Sequence, residues 1–540
     1  MKAAEAIVRC LEAEGTKLVF GYPGATVIPI YEVLRTSNIT HILSRHEQAV
    51  GHSANGYARA TGKAAVCFAT SGPGATNIIT SIATAYMDSI PLVVITGQVK
   101  LSNVGKDVFQ EADIIGSTEC FTKYSYLVKD GKTLPKIIKE AFHIAGSGRP
   151  GPVLIDVPLD IQNDEIGEFD YESIKVDIRG YKPTYKGHKG QIKKVIDKLK
   201  VSKKPILCIG GGVKLSDAKE EANLLSQKAK IPVVYTMMGK DSVFENSPYV
   251  IGQIGSHGKE VANKAINEAD LILFVGTRIA DRSMSKCSGI EDNATIIHID
   301  IDPAEIGKNI RSSIPVVGDC KNILSEILEQ IDELNTDSWI NSLTLEKRSL
   351  SLSSKLSDEF VNAKHVIKKL SDVASDDAIL ITDVGQNQIW SALNFEIRGK
   401  RRFLTSGGLG TMGYSLPTAV GARFGADKDT QILAVMGDGG FQMSMFELGT
   451  IMEHNLNLKL VLLNNDGLGM VREMQNNMYK NPFGTLFAKS PDFIKLSEAY
   501  GIKCKRVCEN SDVESALKEA LEYEGPYLLE FIVDPSEATL

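Results

Sequence analysis

Apolar runs of four to six residues recur along the chain, each followed by Gly, Asn or Asp and then by a stretch with helical apolar spacing. Continuous β-branched runs suit strands buried on both faces of a parallel sheet, with helices returning the chain between them. They predict strands at 18–20, 64–69, 91–96 and 153–157, then at 206–209, 233–236, 271–275 and 295–299, and last at 378–382, 432–436, 460–463 and 527–532. A shorter strand-like stretch at 41–44 leads into Arg45-His46-Glu47-Gln48, which opens a helix running to Gly62. Polar segments at 180–187 and 349–357 read as linkers. The expected fold is α/β, three doubly wound parallel-sheet domains at 1–165, 188–335 and 358–540. Gly151-Pro152-Val153-Leu154-Ile155-Asp156-Val157 closes the first block and Gly525-Pro526-Tyr527-Leu528-Leu529-Glu530-Phe531 closes the third, a weak echo. Two similar modules facing each other would form a cleft for an extended cofactor.

Composition narrows the class. The 540 residues suit about three domains of 100 to 200 residues each, and 43% hydrophobic content fills three cores. A net charge of -7, with Lys and Arg dispersed, gives no nucleic-acid footprint. Met1-Lys2-Ala3-Ala4-Glu5-Ala6-Ile7 begins an amphipathic helix rather than a signal peptide, and no apolar run reaches the length of a membrane span. Eight scattered cysteines without a CxxC pair read as buried free thiols of a reducing compartment, so a cytoplasmic location is expected.

Two constellations carry chemistry. Gly437-Asp438-Gly439-Gly440 follows the apolar run at 432–436, and Asn464-Asn465 follows that at 460–463. Asp438 and Asn465 lie 27 residues apart, room for strand, helix and strand, so both arrive at one edge of a parallel sheet. A carboxylate, an amide oxygen and the Gly467 carbonyl would suit Mg²⁺, which takes few protein ligands and completes its octahedron with phosphate oxygens. Either motif alone is also an ordinary strand-to-helix turn. Glu47 sits in a first helical turn, where the helix dipole favours an acid whatever its function. His46-Glu47 is followed by Val50 rather than the second histidine of a zinc-protease HExxH, Ser71 and Ser406 lack a G-x-S-x-G frame, and His52 and His257 have no ligand partners at helical spacing.

The segments FGYPGATVIPIYEVL, RHEQAVGHSANGYARATGK, TSGPGATNIITSIATAYMDSIPLVVITGQV, FQEADIIG and TSGGLGTMGYSLP, with the Asp438/Asn465 motif, together resemble the thiamine-diphosphate enzymes, most closely the acetolactate (acetohydroxyacid) synthase catalytic subunits. The resemblance covers nearly the whole chain in block order: pyrimidine-binding, central, diphosphate-binding. It implies thiamine diphosphate and Mg²⁺ as cofactors and pyruvate and other 2-oxoacids as substrates. The implied reaction is a carboligation in which pyruvate loses CO₂ and its two-carbon unit joins a second 2-oxoacid, giving 2-acetolactate. By resemblance Glu47 is the glutamate that hydrogen-bonds the aminopyrimidine ring, in a site formed between subunits. Asp438, Asn465 and the Gly467 carbonyl are the Mg²⁺ ligands, while Gly385, Gln386, Asn387, Gly437, Gly439 and Gly440 lie near the diphosphate. Met412, in Gly410-Thr411-Met412-Gly413, props the thiazolium, and Gly410 and Met470 also face the cofactor. Gly24, Phe109 and Gln110 face the cofactor and the second substrate. A homodimer or homotetramer with sites between subunits follows, and a small regulatory subunit is a further candidate partner.

Biosynthetic members of the family also carry a structural FAD in the middle domain, and Arg149, Gly211 within Gly210-Gly211-Gly212, Arg282, Asp300 and Asp319 resemble its contacts. The triple glycine is equally an ordinary turn and does not complete G-x-G-x-x-G. The chain departs from the family at Leu159, where an acceptor-side lysine is expected, at Met474, where a tryptophan favours 2-oxobutyrate, and at Ser256, where a methionine lies beside the flavin. The change at Met474 favours pyruvate as acceptor, and the change at Leu159 removes a cation that could steer a carboxylate. Only five residues follow Pro535, so no lid is expected from a C-terminal tail. Another thiamine-diphosphate decarboxylase or a flavin-coupled oxidase is the alternative.

Overall fold

The computed structural model describes residues 1–285, 289–349 and 359–540. Most of the second expected linker, 350–357, lies outside the described residues, as does residue 358, where the third block was expected to begin. The first sheet comprises β1 (Leu18–Gly21), β2 (Thr40–Leu43), β3 (Ala65–Ala69), β4 (Leu92–Gln98), β5 (Tyr124–Leu127) and β6 (Pro152–Pro158). The second comprises β7 (Pro205–Ile209), β8 (Val233–Tyr235), β9 (Val250–Gln253), β10 (Leu271–Val275), β11 (Thr295–Asp300) and β12 (Ile314–Val317). The third comprises β13 (Ile379–Thr382), β14 (Arg402–Leu404), β15 (Ile432–Gly437), β16 (Lys459–Asn464), β17 (Lys503–Val507) and β18 (Tyr527–Ile532).

The strand orders are β2-β1-β3-β4-β6-β5, β12-β11-β10-β7-β8-β9 and β14-β13-β15-β16-β18-β17. Neighbours pair in parallel, as in Phe20 with Ile42 and with Cys67, Leu273 with Leu207, and Val435 with Val461. The first and third sheets share one topology, and the echoing segments are their fifth strands, β6 and β18. Central strands are buried along their lengths, β3, β4, β6 and β10 completely, which is why they read as mostly apolar runs, with Asp156 the buried charge in β6.

The chain divides into two compact units: 1–182 with 379–388 and 404–535, and 183–378 with 389–403 and 536–540. The expected linker at 180–187 contains the boundary between 182 and 183. The second unit gathers 389–403 and 536–540 through hydrogen bonds. Trp390 Nε1 donates to Ala538 O at 3.3 Å, Ala363 N to Glu537 Oε2 at 2.7 Å, and Ile397 N to Glu245 Oε2 at 2.6 Å.

Within the first unit the helices Glu47–Thr61 and Ser415–Gly425 meet backbone to backbone. A Cβ on Gly56 would stand 2.0 Å from Thr418 O, and one on Gly421 only 1.7 Å from Ser53 O. These glycines permit a helix approach that no larger residue allows, and Ser53 Oγ donates to Pro417 O across it at 3.0 Å. The seven described cysteines are free; Cys10, Cys67, Cys208 and Cys320 are buried, whereas Cys120 and Cys508 are exposed and correct the reading of all of them as buried.

Candidate active site

Doubly wound sheets bind ligands outside the carboxyl ends of their strands, where the order reverses. In the third sheet that point lies between β13 and β15, and in the first between β1 and β3. The predicted residues collect at or beside these points. Gly385, Gln386 and Asn387 follow β13, Gly437 to Gly440 end β15 and begin the next helix, and Asn465 and Gly467 follow β16. In the first sheet Gly24 follows β1 and Glu47 follows β2.

Asp438 is fully buried, and its Oδ2 accepts the Gly467 N–H at 3.0 Å. Burial pushes its carboxyl up to about 7 against the pull of neighbouring backbone N–H groups. Asn465 donates from Nδ2 to Gln386 Oε1 at 3.3 Å. Its Oδ1 thereby faces two other oxygens, Gly467 O at 2.9 Å and Asp438 Oδ1 at 3.2 Å. Three oxygens meeting without a proton between them are either resolved by turning the amide over or held together by a cation. Octahedral Mg²⁺ with ligands at 2.0–2.1 Å sets neighbouring oxygens about 2.9 Å apart. A carboxylate, an amide and a carbonyl at such spacing fit a small hard cation whose other ligands come from a diphosphate. No cluster of three His, Cys, Asp or Glu side chains able to bind a metal occurs among the described residues.

The surroundings suit a phosphate group. Asn387 is 4% exposed, and its Oδ1 has no hydrogen-bond partner. Gly385 has φ +131°, and a Cβ there would meet nothing nearer than Asn387 Nδ2 at 3.4 Å. Gly440 must be glycine because a Cβ would stand 2.6 Å from Asp383 Oδ1. Asp383 is a residue the sequence reading missed. Its buried carboxylate accepts from Val384 N, Gly413 N, Ser415 N and Ser415 Oγ at 2.9–3.0 Å and so pins the loop that bears Met412. Burial raises its pKa and those donors oppose the rise. Asp88 holds the same loop through Gly407 N at 3.2 Å and Gly408 N at 2.7 Å, and Thr84 Oγ1 meets Thr411 Oγ1 at 2.8 Å. Met412 Cε then lies 3.7 Å from the Cβ that Gly439 lacks. Gly410 takes φ +75° in this loop, and Met470 is half-buried in the first turn of the helix Gly469–Tyr479.

In the first sheet, Glu47 begins the helix Glu47–Thr61, whose N-cap His46 accepts Gln48 N–H on Nδ1 at 3.1 Å. Glu47 Oε2 accepts from Asn77 Nδ2 at 2.9 Å, and Oε1 lies 3.3 Å from the Cβ position of Gly74, whose missing side chain leaves that oxygen open. The turn before Glu47 is fixed by Glu447, fully buried, whose Oε1 accepts Arg45 N–H at 2.6 Å; burial pushes this carboxyl up to about 7. Neither Asn77 nor Glu447 carries a pattern the sequence reading could use. Gly24 packs on Thr70, 2.4 Å from its absent Cβ. Gln110 takes φ +58° with its backbone against Gly72, and Phe109 is 88% exposed.

That loop is tied to the sheet by Gln98, whose Nε2 donates to Ala112 O at 2.9 Å and to Asp156 Oδ2 at 3.0 Å. Thr96 Oγ1 donates to Asp156 Oδ1 at 2.7 Å, and burial pushes the Asp156 carboxyl up to about 7 from 3.8. The folded carboxyl has the higher pKa, so its contribution favours folding below about pH 4 and is lost as pH rises to about 7. A shift of about three units amounts to the order of 4 kcal/mol. Asp156→Asn should therefore gain stability relative to the parent between pH 4 and 8, which urea unfolding at the two pH values measures.

Family profiles match the chain in three parts: a thiamine pyrophosphate enzyme N-terminal TPP binding domain at 1–117, a central domain at 192–327 and a C-terminal TPP binding domain at 383–531. The "Probable acetolactate synthase large subunit" of Methanococcus aeolicus is 44% identical, the match covering 100% of this chain and 93% of that one. The chain belongs to the acetolactate synthase family of thiamine pyrophosphate enzymes. The "Acetolactate synthase" of Arthrospira platensis is 41% identical over 99% of this chain and 94% of that one, and the "Acetolactate synthase large subunit" of Lactococcus lactis is 38% identical over 99% and 93%. Thiamine diphosphate is thus the cofactor that the pyrophosphate-binding domains of this acetolactate synthase family member serve.

The residues resembling flavin contacts divide between the units. Gly211, Arg282, Asp300 and Asp319 belong to the second unit and Arg149 to the first. Gly211 follows β7, Arg282 follows β10, Asp300 ends β11 and Asp319 follows β12, so all four lie at the carboxyl edge of the second sheet. Asp319 caps the helix Cys320–Gln330 by accepting Asn322 N–H at 3.2 Å, and Asp300 Oδ1 accepts Asp302 N–H at 2.9 Å. Gly210 and Gly212 are needed for packing, since their Cβ atoms would stand 2.2 Å from Gly276 O and 2.6 Å from Gly276 Cα. Arg149 Nε donates to Ser89 Oγ at 2.9 Å. No helix among the described residues is long and apolar enough to cross a membrane.

Proposed function

We propose that the protein is an acetolactate synthase catalytic subunit, joining two molecules of pyruvate into 2-acetolactate with release of CO₂. What carries this reading is the pairing, at the carboxyl edges of two sheets with one topology, of an open carboxylate oxygen on Glu47 with the three-oxygen cradle of Asp438, Asn465 and Gly467. Thiamine diphosphate supplies, when bound, the electron sink that decarboxylation of a 2-oxoacid requires. Asp438, Asn465 and the Gly467 carbonyl would hold Mg²⁺ against its diphosphate, with Gly385, Gln386, Asn387, Gly437, Gly439 and Gly440 lining the phosphates. Glu47 would offer Oε1 to the aminopyrimidine ring for proton sharing, because Oε2 is engaged by Asn77. Met412 shapes the floor beneath the thiazolium, with Gly410 and Met470 beside it. Gly24, Phe109 and Gln110 receive the second 2-oxoacid and exclude water, which would divert the two-carbon unit to acetaldehyde.

The site is completed by a second copy of the chain. A single copy leaves the large apolar side chains of Phe109, Met478, Tyr479, Phe483 and Leu486 at 59–89% exposed, which supports their burial against a second subunit. Met474, standing where the family's tryptophan favours 2-oxobutyrate, supports pyruvate as acceptor. The carboxyl-edge placement of Gly211, Arg282, Asp300 and Asp319 supports a structural FAD, for which flavin absorbance of the purified protein is the test. The relatives' description as large subunits supports a small regulatory partner, and the free cysteines a cytoplasmic location. Incubation with pyruvate, Mg²⁺ and thiamine diphosphate, followed by acid conversion of acetolactate, should yield acetoin. Acetaldehyde or peroxide in its place would establish a decarboxylase or an oxidase.

A further inference from the structure

We propose that Glu473, which is no ligand, sets the polarity of the cation site by fixing which face of the Asn465 amide looks at Asp438 and Gly467. The inference rests on the Mg²⁺ reading above. A carboxylate accepts hydrogen bonds and cannot donate. Gln386, 5% exposed, donates from Nε2 to Glu473 Oε2 at 2.8 Å, which commits its Oε1 to the opposite side. That oxygen accepts from Asn465 Nδ2 at 3.3 Å and commits Asn465 Oδ1 in turn to the space shared with Gly467 O and Asp438 Oδ1.

Turning Asn465 over alone would let its nitrogen donate to Gly467 O at 2.9 Å and Asp438 Oδ1 at 3.2 Å, but would oppose its oxygen to Gln386 Oε1 at 3.3 Å. Turning Gln386 as well would oppose that oxygen to the Glu473 carboxylate. Amide orientation is otherwise set by whichever local bonds are best, and here one charged acceptor at the outer end decides both amides. The contact between them is built for: a Cβ on Gly469 would stand 2.0 Å from Gln386 Oε1 and 2.5 Å from Asn465 Nδ2. Glu473 lies on the helix Gly469–Tyr479 that starts at this glycine. Without the carboxylate the metal-free protein can satisfy Asp438 and Gly467 with Asn465's own amide protons, and a cation must then compete with that closed form.

Glu473→Gln keeps the shape and removes the polarity. With full-length protein and thiamine diphosphate, Mn²⁺ affinity by electron paramagnetic resonance titration should fall by about ten- to a hundredfold, the scale of a lost supporting contact. The Mg²⁺ concentration for half-maximal turnover should rise by the same factor, with kcat at saturating Mg²⁺ within about twofold of the parent. Glu473→Leu, which removes the acceptor altogether, should show the same loss and serves if the glutamine variant does not fold. Asn465→Asp presents oxygen on both sides, so in that background Glu473→Gln should leave Mn²⁺ affinity unchanged. Unaltered Mn²⁺ affinity in the single variant, or an equal fall in the Asn465→Asp background, would overturn the relay. Asp438→Ala separates the two readings: if it binds Mn²⁺ as the parent does, the cation site itself is misplaced.

Discussion

Glu47→Gln should lower turnover of pyruvate by about 10²- to 10⁴-fold, the usual loss on removing a positioned acid–base group. Asn77 makes the effect direct. Its Nδ2 donates to Glu47 Oε2 at 2.9 Å, so the glutamine carbonyl will take that place and the amide nitrogen will occupy the site of Oε1. A group that only donates then stands where an oxygen must share a proton with the cofactor ring. Glu47 is half-exposed in the chain, and the substitution keeps both shape and the Asn77 bond. The unfolding midpoint should therefore stay within about 0.5 kcal/mol of the parent. Turnover reduced less than tenfold would return Glu47 to the plainer role of an acid at a helix start. Steady-state acetoin formation beside thermal unfolding of the same preparations decides between them.

The fold was legible where strands are buried on both faces. The predicted strands at 271–275 and 527–532 coincide with β10 and β18, and every other interior strand is found within two residues. The strands not predicted, β5, β9, β12, β14 and β17, all lie at sheet edges. An edge strand meets a neighbour on one side only and tolerates polar residues: β17 is Lys503-Cys504-Lys505-Arg506-Val507, and β12 carries Pro315. Of the six edges only β2 was foreseen, one residue late, because it leads into the Glu47 turn.

The site was legible where chemistry follows a strand directly. Asp438 and Asn465 stand at strand ends, and their spacing alone places them side by side. Asn77, Asp383, Glu447 and Glu473 were not legible, although Asn77 and Glu473 bond the predicted Glu47 and Gln386, and Asp383 and Glu447 fix the turns that carry Met412 and Glu47. Their partners are far along the chain, 402 residues in the case of Arg45 and Glu447, and no local pattern encodes such a pairing. Asp383 came nearest, since Asp383-Val384-Gly385 follows β13 much as Asp438 follows β15. Supporting residues of this kind are chosen by the folded geometry, so they appear only once the helices and sheets are assembled.

Asp438→Asn should have opposite effects on the metal-free and the loaded protein. In the metal-free chain, a buried carboxylate pushed up to about 7 faces Asn465 Oδ1 at 3.2 Å with no proton between them. An asparagine carbonyl can accept the Gly467 N–H that Oδ2 now accepts at 3.0 Å, and its amide nitrogen then points at Asn465 Oδ1 and donates. Burial of a charge is exchanged for a satisfied neutral pair, so the metal-free variant should be more stable than the parent at pH 8. The same nitrogen occupies the place of a cation ligand with a donor, and one negative charge is lost from the cradle. Outer contacts of metal sites are worth about 10- to 100-fold in affinity, so loss of this direct ligand should weaken Mg²⁺ by more than about 100-fold and abolish turnover at millimolar metal. A ligand held at 100 times its Kd adds about 2.7 kcal/mol to stability. The parent should thus gain a measurable rise in Tm when Mg²⁺ and thiamine diphosphate are added together, and the variant none. A variant that still gains that rise would show that the cation does not rest on Asp438, whereas one destabilised without metal would show that the carboxylate is held charged by something other than the cradle.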